Sequence, residues 1–261
     1  MSGLTDAIVL GAGAGTRYAQ GQTDSASELK PKQFLLLNGK PVFIWSVEAL
    51  LHSLTLRQLV IVVSPEHLSL TSRLVAQFLP QTSCPIKIIV GGRQRQDSSY
   101  SGLLALEHLT PNAEFVWIHD ACRPILSKSL LSRLNQITEK IPEASGWIPV
   151  LPVTDTLKRV QDHHVLETVD RTPLVRVQTP QVFRFNKLLT CFKNLAEEPP
   201  HVFTDDAAVL EYFKEPIVTL QGDDKNIKLT YASDLELAQK YVLATERNDL
   251  CVSESVTTST V

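Results

Sequence analysis

Short, almost wholly apolar runs recur along the chain at Asp6–Leu10, Gln58–Val63, Ile86–Val90, Phe115–Ile118 and Gly146–Val150. Runs of this length, rich in Val and Ile, predict strands buried on both faces, as in a parallel sheet. Between them, apolar residues return with a helical period of about 3.6 at Val42–Ser53, Glu66–Phe78, Asp97–Glu107 and Lys128–Glu139. Asp97 and Ser127 stand at the start of two of these stretches as candidate N-caps. The alternation predicts an α/β fold, Rossmann-like, with a mostly parallel sheet flanked by helices. Ligands of such folds bind in the loops at the carboxyl ends of the strands.

From Leu151 to Phe183 the pattern changes. Leu157–Val160 and Val165–Val169 are short alternating stretches around a polar QDHH turn, which predicts a β-arm projecting from the sheet. A lone two-stranded ribbon is marginally stable, so the arm asks for a partner, and a second copy of the chain is the simplest one. Helices are expected near Asn186–Leu195 and Asp205–Phe213, a strand at Ile217–Leu220 and a closing helix at Ser233–Thr245. The division expected is a single domain over 1–245, its arm at about 152–183, and a flexible tail over 246–261 ending in SESVTTSTV.

Composition narrows the function classes. With 261 residues, 43% of them apolar, the chain has material for a substantial core, and whole-chain disorder is excluded. Its 25 basic and 28 acidic residues give a net charge of −3, which speaks against a general nucleic-acid binder but leaves room for local phosphate pockets. Cys84, Cys122, Cys191 and Cys251 are scattered, with no Cys-x-x-Cys pair, so neither a zinc site nor a disulfide framework is expected. No apolar run approaches the roughly 20 residues of a membrane span. MSGLTDAIVLGAG runs straight into a strand pattern without the regions of a signal peptide, so a cytoplasmic location without membrane association is expected.

Two loops carry candidate chemistry. GAGAGTRY, Gly11 to Tyr18, follows the first strand and alternates glycine with alanine at Ala12, Gly13, Ala14 and Gly15. Small residues let backbone N–H groups approach a polyphosphate, and Arg17 adds a charged donor. The dinucleotide fingerprint fails at Thr16 and no GK[ST] follows. A structural glycine-rich turn is the alternative. Downstream, Lys30-Pro31-Lys32-Gln33-Phe34 presents Lys32 from a backbone stiffened by proline. Cations beside a glycine cradle suit transfer of a phosphoryl-type group; singly, each lysine would be an ordinary solvated side chain.

GAGAGTR, PKQ, GGRQRQDSS, HDACRP, PVTDTLKRV, TVDRTPLVRVQTPQVF, TDDAAVLEY and NIKLT follow one another in order. This ordered set, spanning roughly Ala7 to Tyr241, closely resembles the 2-C-methyl-D-erythritol 4-phosphate cytidylyltransferases of the non-mevalonate isoprenoid pathway; ribitol-5-phosphate cytidylyltransferases share much of it. The resemblance implies a nucleotidyltransferase that uses CTP and an alditol phosphate, with Mg²⁺ as its cation. It implies that Ala12–Gly15 and Arg17 wrap the CTP phosphates, that Arg17 and Lys32 neutralise charge at the α-phosphorus, and that Gly91, Gly92, Arg95 and Ser98 frame the cytosine. Asp120 would hold Mg²⁺ or a substrate hydroxyl, with Arg123 supporting the alditol phosphate or the loop; an acid at a strand end also serves as a helix cap. His119 reads as a packed histidine and Cys122 as a small buried thiol. Thr156, Arg171, Thr179, Thr204 and Lys228 match the family's positions for methylerythritol phosphate. The arm would swap across a two-fold homodimer, so that Thr156 and Arg171 serve the partner's site.

The sequence departs from the family's pattern in three places. The YAQGQTDSASELKP segment between Arg17 and Lys32 is long and polar, which predicts a mobile flap and makes Lys30 a possible stand-in for Lys32. Arg93 stands where the family often has an acid, and Thr16 where it sometimes has a base. Methylerythritol phosphate is the acceptor expected from DTLKRV and TDDAAVLEY, with ribitol phosphate as the alternative. Of two other classes, a dehydrogenase is opposed by the missing third glycine, and a silent nucleotide-binding module by the presence of Arg17, Lys32, Asp120 and Lys228.

Overall fold

The computed structural model describes residues 4–13, 31–110, 113–198 and 201–243. Its centre is an eight-stranded sheet. Strand β1 (Thr5–Leu10) lies in the middle and pairs in parallel with β4 (Leu56–Val63) on one side and β6 (Phe115–Asp120) on the other. β5 (Ile86–Val90) extends the sheet beyond β4, again in parallel. Beyond β6 comes β11 (Gln181–Arg184), antiparallel to both β6 and β7 (Gly146–Pro152). β10 (Val175–Val177) pairs antiparallel with the far end of β7, and β12 (Ile217–Gln221) pairs with β7 in parallel. A small hairpin, β2 (Leu36–Leu37) with β3 (Lys40–Pro41), precedes the first described helix.

Two helical layers cover the sheet because successive strand residues face opposite ways. Ala7 and Val9 join the core under α1 (Val42–Ser53), α2 (Leu68–Phe78) and α4 (Lys128–Lys140). Ile8 joins the other core, under α3 (Arg95–Leu109), α5 (Phe185–Leu195) and α6 (Ala207–Tyr212). Trp117 and Trp147 are wholly buried and fill the first of these cores. A closing helix over 232–243 packs Ala238 and Val242 onto Leu37, Val42 and Cys122.

Every strand and helix expected from periodicity is present within a few residues, and the α/β architecture is the one the pattern implied. Three readings are corrected. Asp97 is not the N-cap of α3: Gln94 is, and Asp97 stands three residues later, accepting the Gln94 N–H at 3.0 Å to close a capping box. Glu66 lies in a separate 3-10 turn, Pro65–His67, before α2 begins. The arm is shorter than 152–183, because β10 and β11 belong to the central sheet. What projects is the hairpin of β8 (Leu157–Gln161) and β9 (His164–Val169), which pair only with each other. Its turn places Asp162 and His163 at φ 47° and 66°, the left-handed pair a two-residue hairpin loop requires. Ser127 is the N-cap of α4, its hydroxyl accepting the Leu130 N–H at 3.2 Å.

Candidate active site

The chain runs β1 to β4 to β5 on one side of β1, then crosses to β6 on the other, so the strand order reverses between β1 and β6. The crevice over the carboxyl ends at such a reversal is where open α/β sheets take ligands. A cavity of about 320 Å³ lies there. Its floor is Leu10–Gly13 after β1 and Asp120 at the end of β6; its walls are Lys32 and Gln33, the Gly92–Arg95 turn with Ser98, and Cys122 with Lys228. Four cationic side chains, Lys32, Arg93, Arg95 and Lys228, face one carboxylate, Asp120.

Each wall is fixed by local structure. Gly11 N–H donates to the Val62 carbonyl at 2.7 Å, continuing the β1–β4 ladder past the strand's end. The backbone of Gly91 and Gly92 presses onto the start of α3: a Cβ on Gly91 would lie 2.6 Å from Ser98 Oγ, and one on Gly92 2.2 Å from Asp97 Cβ. No larger residue fits that frame without moving α3. Lys228 is held by its own segment, where the Leu229 N–H donates to the Cys122 carbonyl at 2.9 Å and Asn226 Nδ2 donates to the Thr179 carbonyl at 2.8 Å.

Asp120 is the electrostatic hub. Lys228 Nζ lies 2.8 Å from Oδ2, Arg123 Nε 3.5 Å from Oδ2, and Arg95 Nε 3.6 Å from Oδ1. Burial pushes its carboxyl up, but Lys228, Arg95 and Arg123 together outweigh burial and hold it well below the usual carboxylate range. Arg95 is shared, donating from Nη1 to the wholly buried Asp206 at 2.7 Å. Burial opposes the charge on Arg95, while Asp206 and Asp120 more than restore it. Arg123 turns its Nη1 to the Asn226 carbonyl at 2.8 Å, so it braces the Lys228 segment as well as the acid.

His119 is wholly buried. Its Nε2 faces the Arg123 carbonyl at 3.0 Å, an acceptor only, so Nε2 carries the proton and Nδ1 accepts from the Thr179 hydroxyl at 2.9 Å. The Thr179 oxygen in turn accepts the Asp120 N–H at 3.1 Å. Burial lowers the His119 pKa to about 4, so the ring is neutral near pH 7. Cys122 is also buried, and burial raises its thiol to about 11.

The structure therefore brings together Ala12, Gly13, Lys32, Gly92, Arg95, Ser98, Asp120 and Lys228 in one cavity, with Gly91 and Arg123 directly behind it. Arg17, Ala14, Gly15 and the flap over 18–30 lie outside the described residues. Thr179 supports the site from beneath, being 4% exposed with its hydroxyl used by His119 and the Asp120 backbone. Thr156, Arg171 and Thr204 are exposed and outside the cavity lining, with Arg171, just past the end of β9, donating to the Thr154 carbonyl. The residues do not form a magnesium cage. Asp120 is the only carboxylate among the described lining residues and its charge is already matched by three cations, so a Mg²⁺ here would draw its oxygen ligands chiefly from substrate phosphates. Sequence reasoning missed Gln33, Asp206 and Asn226 as structural partners of the site, although PKQ, TDDAAVLEY and NIKLT contain them.

A family model described as IspD, 2-C-methyl-D-erythritol 4-phosphate cytidylyltransferase, matches residues 5–244. A bifunctional enzyme IspD/IspF of Bartonella bacilliformis is 38% identical over 238 residues, covering 91% of this chain and 56% of that protein. The chain thus spans about half the length of the first relatives it matches. A 2-C-methyl-D-erythritol 4-phosphate cytidylyltransferase of Bacillus licheniformis is 32% identical over 88% of this chain and 96% of its own length. Among solved structures, a 4-diphosphocytidyl-2C-methyl-D-erythritol synthase superposes with a TM-score of 0.72 at 27% identity, over 93% of this chain and 99% of that one.

Proposed function

The chain belongs to the 2-C-methyl-D-erythritol 4-phosphate cytidylyltransferase family, and on that premise we propose that it transfers the cytidylyl group of CTP to 2-C-methyl-D-erythritol 4-phosphate. The products are 4-diphosphocytidyl-2-C-methyl-D-erythritol and pyrophosphate, in isoprenoid precursor synthesis. The observation that carries the reading is the cavity at the β1/β6 reversal, where backbone of a small-residue loop meets four cations. Family and relatives speak for methylerythritol phosphate over ribitol phosphate as acceptor.

In this reading an acceptor phosphate oxygen, already anionic near neutral pH, attacks the α-phosphorus of CTP. The new P–O bond forms as the bond to the bridging oxygen breaks, and pyrophosphate takes the electron pair. No general base is called for, in keeping with a His119 that is buried, neutral and fully hydrogen-bonded. The chain's contribution is positioning and charge. Gly91, Gly92 and Ser98 frame the base; Ala12–Gly15, Arg17 and Lys32 gather the triphosphate; Lys228, with Arg123 behind it, receives the acceptor phosphate. Asp120 orients Lys228 and Arg95 and offers its remaining lone pairs to an acceptor hydroxyl. A Mg²⁺ ion would be held by the triphosphate rather than by Asp120, whose charge three cations already match, and would supply charge screening there.

The same proposal makes the enzyme a cytoplasmic homodimer joined through the β8–β9 hairpin. Val160, Val165 and Leu166 are 56–62% exposed on that hairpin, a large apolar surface for a ribbon with no core of its own. Exchange of the hairpin would carry Thr156 and Arg171 to the partner's site. The deciding experiment is pyrophosphate release from CTP and Mg²⁺, with methylerythritol 4-phosphate and ribitol 5-phosphate run in parallel. Release with the first alone is expected. Release with ribitol phosphate alone would replace the acceptor, and silence with both while CTP still binds would leave a nucleotide-binding module.

A further inference from the structure

Gln33 has no part in the chemistry described so far, yet it is 2% exposed and lines the cavity beside Lys32. Its Nε2 donates to the Gly11 carbonyl at 2.7 Å and reaches the Gly13 carbonyl at 3.4 Å. Carbonyl oxygens only accept, so the side-chain amide must turn its nitrogen toward the β1 loop. The residue stands in a 3-10 turn over Lys32–Phe34, closed by the Phe34 N–H to the Pro31 carbonyl at 2.9 Å. That turn is anchored from outside the site. Phe34 packs edge-on to Phe43 at 5.6 Å and against the His67 ring at 4.9 Å, and the Leu35 carbonyl accepts the Val42 N–H at 2.9 Å. Gln33 therefore projects from a fixed base and ties the loop after β1 to the segment carrying Lys32.

An anion site built from backbone has an intrinsic difficulty: every donor N–H comes with an acceptor C=O, and acceptors facing a triphosphate repel it. We infer that Gln33 is a positioning residue for the nucleotide triphosphate, its buried amide taking up the Gly11 and Gly13 carbonyl oxygens so that the loop meets the anion with its donors. This rests on the cytidylyltransferase reading and deepens it, because it assigns to one side chain the discrimination between a triphosphate and the same nucleotide with less charge. A Glu at 33 would set an acceptor against two acceptors and add negative charge beside the phosphates. A Met would keep the volume and remove the donor.

The test is calorimetric titration of the full chain with CTP and, separately, with CMP, for the unsubstituted protein, Gln33→Met and Gln33→Glu. CMP shares base and sugar, so it reports whether the remainder of the cavity is intact. Losing a buried donor to two carbonyls is expected to weaken CTP binding about tenfold in Gln33→Met and more in Gln33→Glu, with CMP affinity within about threefold. Parallel loss of both ligands, as from a generally disturbed fold, would overturn the inference, as would unchanged CTP affinity. An unsubstituted chain that binds no CTP would instead bring down the functional reading, and this inference with it, a result distinguishable because it appears before any substitution is made.

Discussion

Asp120 and His119 are adjacent at the end of β6 and solve opposite electrostatic problems. The acid stays charged because three cations surround it; the imidazole stays neutral because its burial outweighs the pull of Asp120 and the Arg123 carbonyl. Both make the fold sensitive to acid. With a folded-state pKa of about 4 against about 6.5 in the unfolded chain, His119 binds its proton more readily once unfolded. Its contribution is intact above pH 6.5 or so and is lost as pH falls through that value toward 4, roughly 3 kcal/mol in all. Urea unfolding across that window should show the slope, and His119→Gln should flatten it while leaving the steeper loss in stronger acid, where Asp120 titrates. Asp120→Asn strands Lys228 and Arg123 without a counter-charge and leaves Arg95 to Asp206 alone, and should destabilise by about 3 kcal/mol as well as depress turnover. Lys32 was legible because it stands beside a glycine cradle that suits phosphate chemistry, and Asp120, Arg95 and Lys228 through the family whose ordered motifs the sequence resembles. Gln33 and Asp206 were not, since a buried amide or acid becomes meaningful only once its partners, the Gly11 carbonyl and the Arg95 guanidinium, are known to be close.

At the scale of elements, legibility followed burial. β1, β4, β5, β6 and β7 were visible as apolar runs because helices cover both their faces. β10 and β11 merge with the arm in the sequence pattern because Gln178, Thr179 and Pro180 interrupt them, and Gln178 spends its side chain on the Asp223 carbonyl and N–H at 2.8 and 3.0 Å. Buried polar residues of that kind break the apolar pattern without breaking the sheet. Asp97 misleads for a related reason: a capping box has acceptors at both ends, and the sequence does not say which residue starts the helix. Ser127 makes the converse case. It caps α4 and also donates to Asp223 at 2.5 Å, joining the helix start to the segment after β12. Ser127→Ala should lower unfolding free energy by about 1–2 kcal/mol, with kcat and KM for CTP unchanged, since nothing it touches lines the cavity.

For the whole molecule, the decisive question is how many copies make one functional unit. Val160 pairs with Val165 across the hairpin, and both side chains are about three-fifths exposed. Replacing both, Val160→Asp with Val165→Asp, puts two charges onto the surface through which the proposed dimer forms. Sedimentation should then shift from dimer to monomer. Cytidylyl transfer should collapse with it, because Thr156 and Arg171 no longer reach a second site, while CTP binding survives in each separate chain. A monomeric mutant of full activity would remove the arm from the mechanism.

Val175 on β10 lies opposite Pro152 on β7, so the chain leaves the sheet and returns to it at one rung of the ladder. Residues 153–174 are thus a closed excursion whose mouth the sheet itself clamps shut. Such an excursion is separable: a short turn joining 152 to 175 would leave every other strand pairing in place. Over evolutionary time the hairpin is then free to change length and sequence at the pace set by whatever it grips, independently of the core, and in the laboratory it is a natural point at which to graft another module onto this scaffold.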